Sequence, residues 1–111
     1  MIRTQPPATD AIVFAMASRI IAEFQPQLLF LFGSRASGTH RPDSDVDWLV
    51  VMPLTGSKRD ARLAIRRRLR DFQMPLDIVV TSPEEFNERK NLVGTIEWAA
   101  VHEGRVMDGC T

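Results

Sequence analysis

The most informative segment of the chain is LFGSRASGTHRPDSDVD, residues 31–47. It begins at the end of an apolar run, residues 28–32, which predicts a short buried strand. Gly33 and Ser34 follow at once, and Ser34 is expected to cap a short helix over residues 34–37. Turn-forming residues then lead into a second predicted strand, residues 45–52. The stretch therefore predicts two strands joined through a short helix and a turn.

The flanking sequence predicts helices and two further strands. Helical spacing of apolar residues predicts a first helix, capped by Thr9 or Asp10 and ending near Phe24. The later segments are a helix over 57–72 that begins with Ser57 and Asp60, a strand over 76–81, a helix over 82–90, a helix over 93–102 and a last short strand over 105–108. This order predicts a mixed α/β or α+β fold, with helices packed on a small mixed β-sheet.

Composition limits the classes of function. A chain of 111 residues predicts one domain, residues 1–111, in which residues 1–8 form a loose arm. The 14 basic and 14 acidic residues balance, so we expect no extended nucleic-acid surface. The longest apolar run is too short to span a bilayer, and the first residues lack a signal-peptide core. A single cysteine, Cys110, excludes an internal disulfide. We therefore expect a soluble, cytoplasmic protein.

The pair Gly33-Ser34 is the first feature that can carry chemistry. Glycine allows a ligand to approach the backbone closely, and the serine hydroxyl and the amides of a following helix can hold a phosphate. Taken alone, the pair is more typical of an ordinary strand-to-helix turn than of a phosphate site.

Three aspartates form the second feature. Asp45 and Asp47 are alternate residues of a predicted strand, so their side chains point the same way and can bind a hard cation such as Mg²⁺. Taken alone, the pair is more typical of a strand whose first acidic residues are still in water. Asp77 is the only charge in the apolar third strand, where burial without a partner is costly. It therefore needs a cation, a metal ion, an arginine or a place at a mobile sheet edge. Together with the glycine-serine turn, the aspartates predict a magnesium–nucleotide site for phosphoryl or nucleotidyl transfer.

Residues 31–47 also resemble the signature of the minimal nucleotidyltransferases, members of the DNA polymerase β-like superfamily. Their pattern is Gly-Ser, ten residues and Asp-x-Asp, and this chain has it at Gly33-Ser34 and Asp45-Val46-Asp47. Arginine after the serine and Pro-Asp-Ser before Asp45 also match. The resemblance covers about residues 10–108. It implies the nucleotidyltransferase palm fold and transfer of a nucleoside monophosphate, usually AMP from ATP, to a hydroxyl.

The resemblance also implies a role for each matching residue. Asp45 and Asp47 would hold two Mg²⁺ ions, and Asp77 would complete the catalytic metal site and act as the base. Gly33 and Ser34 would bind the β and γ phosphates of ATP, and Arg35 would be a phosphate or structural contact. Ser37 stands where many relatives have arginine, and Trp48 replaces a common aliphatic residue that we expect only to pack.

The same resemblance extends to a partner. Minimal proteins of this family resemble antitoxins paired with a HEPN ribonuclease toxin, in which the transferase adds AMP to a toxin tyrosine. The alternative is a binding module with the same fold that inhibits by occlusion or recognises a substrate. Nucleic-acid polymerisation is disfavoured, since no extended basic channel is predicted. A homodimer is the default expectation for a small domain.

A basic segment, residues 58–70, stays outside this assignment. It holds seven basic residues and one acidic residue. A solvated helix face, a surface for docking a partner and an approach for nucleotide phosphates all fit it.

Overall fold

The computed structural model describes residues 8–39, 41 and 44–108, without the side chains of residues 8–10 and 108. Most of the predicted arm, residues 1–7, lies outside this range, as do His40 and Cys110. Ala8 was expected in the arm but is already helical. No helix within the described range is long and apolar enough to cross a membrane.

In the part of the chain that the structure describes, a four-stranded mixed sheet forms the centre of the fold, with strand order β3-β2-β1-β4. Its strands are β1 Leu28–Phe32, β2 Val46–Val51, β3 Leu76–Thr81 and β4 Arg105–Asp108. Strand β1 pairs antiparallel with both β2 and β4, whereas β2 and β3 are parallel. The parallel pair requires a crossover connection, and a helix supplies it. The predicted small mixed sheet is confirmed.

Five helices lie around this sheet within the described residues. They are α1 Ala8–Phe24, α2 Ser34–Ser37, α3 Lys58–Arg68, α4 Pro83–Arg89 and α5 Ile96–Glu103, and a short 3₁₀ turn, Arg70–Phe72, follows α3. Serine or threonine hydroxyls cap three of them: Ser57 accepts from the Asp60 amide, Ser82 from the Glu85 amide and Thr95 from the Trp98 amide. These caps match the predicted start signals of α3 and α4.

The strand pleat divides the core between the two faces of the sheet. Trp48, Val50 and Ile78 point to the face covered by α1 and α3, where Met16, Ile20 and Ile65 are fully buried. Phe30, Leu49 and Val51 point to the opposite face, where they contact Phe86 of α4 and Ala100 of α5. Alternate residues of each strand therefore have different environments, and the odd-numbered side chains of β2 and β3 face α4 and α5.

Several predicted boundaries are wrong. Helix α1 includes Thr9 and Asp10, so neither residue caps its start. The long helix predicted over 57–72 breaks at Leu69, because the Leu69 amide shares its hydrogen bond among several carbonyls and a 3₁₀ turn follows. Residues 93–95 precede α5 because Gly94 adopts a positive φ of 96° and Thr95 caps the helix.

Candidate active site

Two of the three predicted aspartates lie side by side at one end of the sheet. Asp47 of β2 and Asp77 of β3 are direct partners in the parallel pairing, so their side chains share a face. Asp45 precedes β2 by one residue, is exposed, and acts electrostatically on Asp47. Asp77 is exposed as well, since β3 is an edge strand. Asp77 therefore lies at a sheet edge, one of the positions expected for a charge in this strand.

The glycine-serine turn meets these aspartates directly. Phe32, the last residue of β1, pairs with Asp47, so Gly33 lies against the Asp47 side chain. A Cβ atom added to Gly33 would lie 2.2 Å from Asp47 Oδ2. Gly33 also has φ 76° and ψ −157°, a conformation that only glycine adopts readily. Glycine is therefore required at this position both for backbone conformation and for space beside the carboxylate.

The Asp47 carboxyl group has an altered proton affinity. Burial, followed by the negative charges of Asp77 and Asp45, raises its pKa from 3.8 to about 6, although Arg35 opposes the shift. Three carboxylates are thus close enough to interact, and their mutual repulsion would be relieved by a cation.

Arg35 connects the turn to the segment before Asp45. Its side chain is buried, and Nε and Nη2 both donate hydrogen bonds to the Ser44 carbonyl oxygen, at 3.2 and 2.9 Å. Of the two expected roles for Arg35, these contacts support the structural one. Ser34 is the first residue of α2, and Gly33 occupies the cap position without a side-chain hydrogen bond. The expectation that Ser34 caps this helix is therefore wrong.

A cleft of about 560 Å³ opens beside the turn. Its lining consists of Phe32, Gly33, Ser34, Ser37, Thr39, Ala99 and Glu103. The residues of α5 in this lining were not predicted as site residues, because their spacing indicated only a helix and its end. Glu103 reaches the cleft through the tertiary fold, since α5 packs against β1.

A family model for the nucleotidyltransferase domain matches residues 16–108. The chain belongs to the nucleotidyltransferase domain family. The matched segment contains the whole glycine-serine turn and the three aspartates. The family assignment implied by residues 31–47 is therefore confirmed, and the domain supports a transferase activity. No curated protein sequence matches the chain.

Two solved structures resemble this nucleotidyltransferase domain. The first is a crystal structure of a toxin-antitoxin with AMP-PNP, with a TM-score of 0.64 and 21% identity, covering 88% of this chain and 74% of that one. The second is a crystal structure of a mutant of the toxin-antitoxin MntA-HpeT, with a TM-score of 0.60 and 20% identity, covering 95% of this chain and 76% of that one. At these identities the likeness establishes the fold, and the mixed α/β expectation is confirmed.

The negative charge of these aspartates suits a divalent cation, but the side chains of the described residues alone do not form a complete set of metal ligands. Burial, together with repulsion from Asp77 and Asp45, raises the pKa of Asp47, and a cation would neutralise the negative charges gathered there. Among the described residues, however, no three acidic, histidine or cysteine side chains converge as a complete ligand set. Mg²⁺ does not need such a cage, since it commonly binds one or two carboxylates together with substrate phosphates. The donor set therefore fits a cation that arrives with a nucleotide.

Proposed function

We propose that the chain is a Mg²⁺-dependent nucleotidyltransferase that moves AMP from ATP to a hydroxyl group. The observation that carries the proposal is the in-register pair Asp47 and Asp77 beside Gly33, whose missing side chain leaves room for the Asp47 carboxylate. Two ions held by Asp45, Asp47 and Asp77 would supply charge stabilisation for the entering and leaving oxygens. Family membership supports this assignment.

In the proposed reaction, an acceptor oxygen attacks the α-phosphorus of ATP. A bond forms between the acceptor oxygen and phosphorus, the bond from phosphorus to the bridging α–β oxygen breaks, and pyrophosphate leaves. Asp77 is the proposed base for the acceptor proton, because its exposed side chain is open to an incoming hydroxyl. Gly33 and Ser34 border the cleft and are proposed to hold the β and γ phosphates. Arg35 is proposed to hold the loop that carries Asp45.

We further propose that the acceptor is a protein, most simply a tyrosine of a HEPN ribonuclease toxin that this chain silences as an antitoxin. Two structural neighbours, a toxin-antitoxin with AMP-PNP and a mutant of the toxin-antitoxin MntA-HpeT, support this choice. The resemblance of residues 31–47 to minimal nucleotidyltransferases supports it independently.

The test uses Asp45→Asn with Asp60→Asn as the matched control. Both aspartates are exposed, but Asp60 lies in the first turn of α3, outside the site. Partner proteins captured from the source cell are incubated with Mg²⁺ and ATP, and their intact masses are measured. We expect a mass gain of one or more AMP units, reduced about a hundredfold or more in rate by Asp45→Asn and unchanged by Asp60→Asn.

The second candidate, an occluding antitoxin, gives a different result. Its partner would bind Asp45→Asn and wild type equally, would keep its original mass, and would be inhibited by both. Mass gain on small-molecule hydroxyls alone would support the transferase and overturn the protein acceptor.

A further inference from the structure

A second concave feature lies at the C-terminal end of α3, away from the cleft beside Gly33. It is a groove of about 330 Å³ whose rim carries Arg66, Arg67 and Arg70. Its apolar lining includes Leu63, Met74 and Leu76. We call this feature the basic groove. The combination of a cationic rim and an apolar floor matches a ligand that carries both negative and apolar groups.

The three arginines of the basic groove are not neutralised by acidic side chains. Two neighbouring arginines are neutralised by acidic side chains. Arg68 forms an ion pair with Glu23, and Arg19 forms one with Asp71 at 2.5 Å. By contrast, within the described part of the chain, none of the groove arginines forms an ion pair. All three are exposed. The positive charge at this end of α3 is therefore available to an external anionic partner, whereas the charges of Arg68 and Arg19 are already paired.

One of these arginines is fixed to the strand that carries Asp77. Arg66 Nη1 donates a hydrogen bond of 3.0 Å to the carbonyl oxygen of Leu76, the first residue of the edge strand β3. Asp77 follows Leu76 directly, and alternate strand residues point to opposite faces. The basic groove and the aspartates thus lie at the same end of β3, on opposite faces of an open sheet edge. A partner that crosses this edge reaches both.

We propose that the basic groove docks an acidic segment of the protein that receives AMP. Carboxylates of this segment would pair with Arg67 and Arg70, and an apolar side chain would pack on the floor of the groove. Arginine suits this role because its planar guanidinium binds two carboxylate oxygens together. This inference rests on the proposed function, because it names the chemistry of the acceptor protein.

An acidic peptide fits the groove better than a nucleic acid does. Nucleic-acid affinity comes from a series of phosphate contacts spread along a basic surface. Here the formal net charge of the chain is zero, and the unpaired arginines converge on a small groove with leucine and methionine at its base. Apolar side chains offer nothing to a phosphate, whereas they bury the leucine or valine of a peptide.

The test compares Arg67→Glu with Arg59→Glu. Both residues are exposed arginines of α3 without an ion pair, both have another arginine three positions later, and both variants change the net charge equally. Only Arg67 lines the groove. The probe is a fluorescent peptide of alternating glutamate and leucine, measured by anisotropy at physiological ionic strength. Controls are the same peptide with lysine for glutamate and an oligoadenylate.

We expect the acidic peptide to bind wild type, to bind Arg67→Glu about tenfold more weakly, and to bind Arg59→Glu within about twofold of wild type. Equal weakening by both variants would overturn the proposal in favour of diffuse attraction. Stronger binding of the oligoadenylate than of the acidic peptide would assign the groove to nucleic acid, and no peptide binding would reject it.

Asp45→Asn separates this proposal from the proposed function. This variant removes a candidate metal ligand and leaves the basic groove intact, so it should bind the acidic peptide as wild type does. Peptide binding without AMP transfer by wild type would reject the transferase and retain the groove. If wild type transfers AMP but Arg67→Glu and Arg59→Glu bind the acidic peptide equally, the groove proposal is rejected and the transferase is retained.

Discussion

Asp47 is the residue on which the electrostatics of the site converge. Its carboxyl group is partly buried, faces the negative charges of Asp77 and Asp45, and has a pKa raised to about 6. The positive charge of Arg35 opposes this shift only in part. In the absence of a cation, this arrangement destabilises the fold, which is typical of sites built for a ligand rather than for stability.

The raised pKa of Asp47 predicts how the free energy of unfolding depends on pH in the absence of metal. Between the unfolded value of 3.8 and about 6, the folded protein binds more protons than the unfolded chain, so stability falls as pH rises through this window. Asp47→Asn removes the effect. In the presence of a chelator, we expect this variant to be more stable than wild type by about 1 kcal/mol near pH 7, a value discounted for solvent screening, and nearly equal near pH 4.

Urea denaturation at the two pH values provides the measurement, and Asp71→Asn provides a control of opposite sign. The hydrogen bond from Arg19 lowers the pKa of Asp71, so this aspartate stabilises the fold at neutral pH, and its removal should destabilise. Equal stability of Asp47→Asn and wild type near pH 7 would contradict the electrostatic description of the site.

Gly33→Ala tests the contact between the turn and Asp47. A Cβ atom would lie 2.2 Å from Asp47 Oδ2, and the backbone conformation is nearly exclusive to glycine. We expect a loss of about 1–3 kcal/mol in the free energy of unfolding together with loss of AMP transfer. Gly56→Ala is the control, since nothing lies within 4 Å of its added Cβ, and its effect should stay within about 0.5 kcal/mol.

Among the elements of the candidate site, the four-residue helix α2 depends most on tertiary contacts for its stability. A helix of this length is not stable alone, and its fixed position depends on its contacts. Gly38 ends it in a left-handed conformation with φ 81°, and the buried Arg35 side chain ties it to Ser44. The glycine-serine turn and the loop before Asp45 are therefore connected by one side chain.

Arg35→Ala should release this connection. We expect a decrease of about 2 kcal/mol in the free energy of unfolding, because the Ser44 carbonyl oxygen loses a charged donor. Loss of the nearby positive charge should also raise the pKa of Asp47 further. Chemical denaturation and a pH titration of the Asp47 carboxyl signal measure the two effects. Arg41→Ala, at an exposed position, should change neither.

The elements also show which signals in the sequence were reliable. The third and fourth strands lie at the predicted residues, because each is a compact apolar or alternating run between clear turn signals. The predicted end of α3 was wrong, because the apolar stripe used to predict this helix continues through the 3₁₀ turn. The stripe consists of Ala61, Ile65, Leu69 and Phe72. Periodicity of side chains does not report the local change in hydrogen bonding at Leu69.

In the whole molecule, one face of the sheet carries most of the hydrophobic core and the other carries the candidate site. The face covered by α1 and α3 holds the larger set of fully buried side chains, including Trp48 and Met16. The opposite face carries Asp47 and Asp77 at one end, beside the cleft lined by residues of α2 and α5. Substitutions on the face with Asp47 and Asp77 can therefore be made without disrupting the larger core on the opposite face.

Ligand binding should then appear as a change in global stability. A ligand that binds only the folded state at about 100 times its Kd stabilises by about 2.7 kcal/mol, or roughly 10 °C in Tm for a domain of this size. We expect AMP-PNP with Mg²⁺ to produce such a rise in calorimetry, and Asp45→Asn to reduce it. A chelator should cancel it in wild type. An undiminished rise in chelator would show that nucleotide binding does not require the cation.

The amino-acid sequence alone predicts the fold class, the order of most elements and the candidate residues of the site. Strand and helix periodicities arise from local geometry, and the spacing of Gly33-Ser34 and Asp45-Val46-Asp47 is a property of the chain alone. Other features arise from tertiary packing: the pairing of Asp47 with Asp77, the edge position of β3, the location of Glu103 at the cleft and the basic groove beside Leu76. These features depend on which strands become neighbours and on how α3 and α5 pack, and such long-range contacts have no local signal in the sequence.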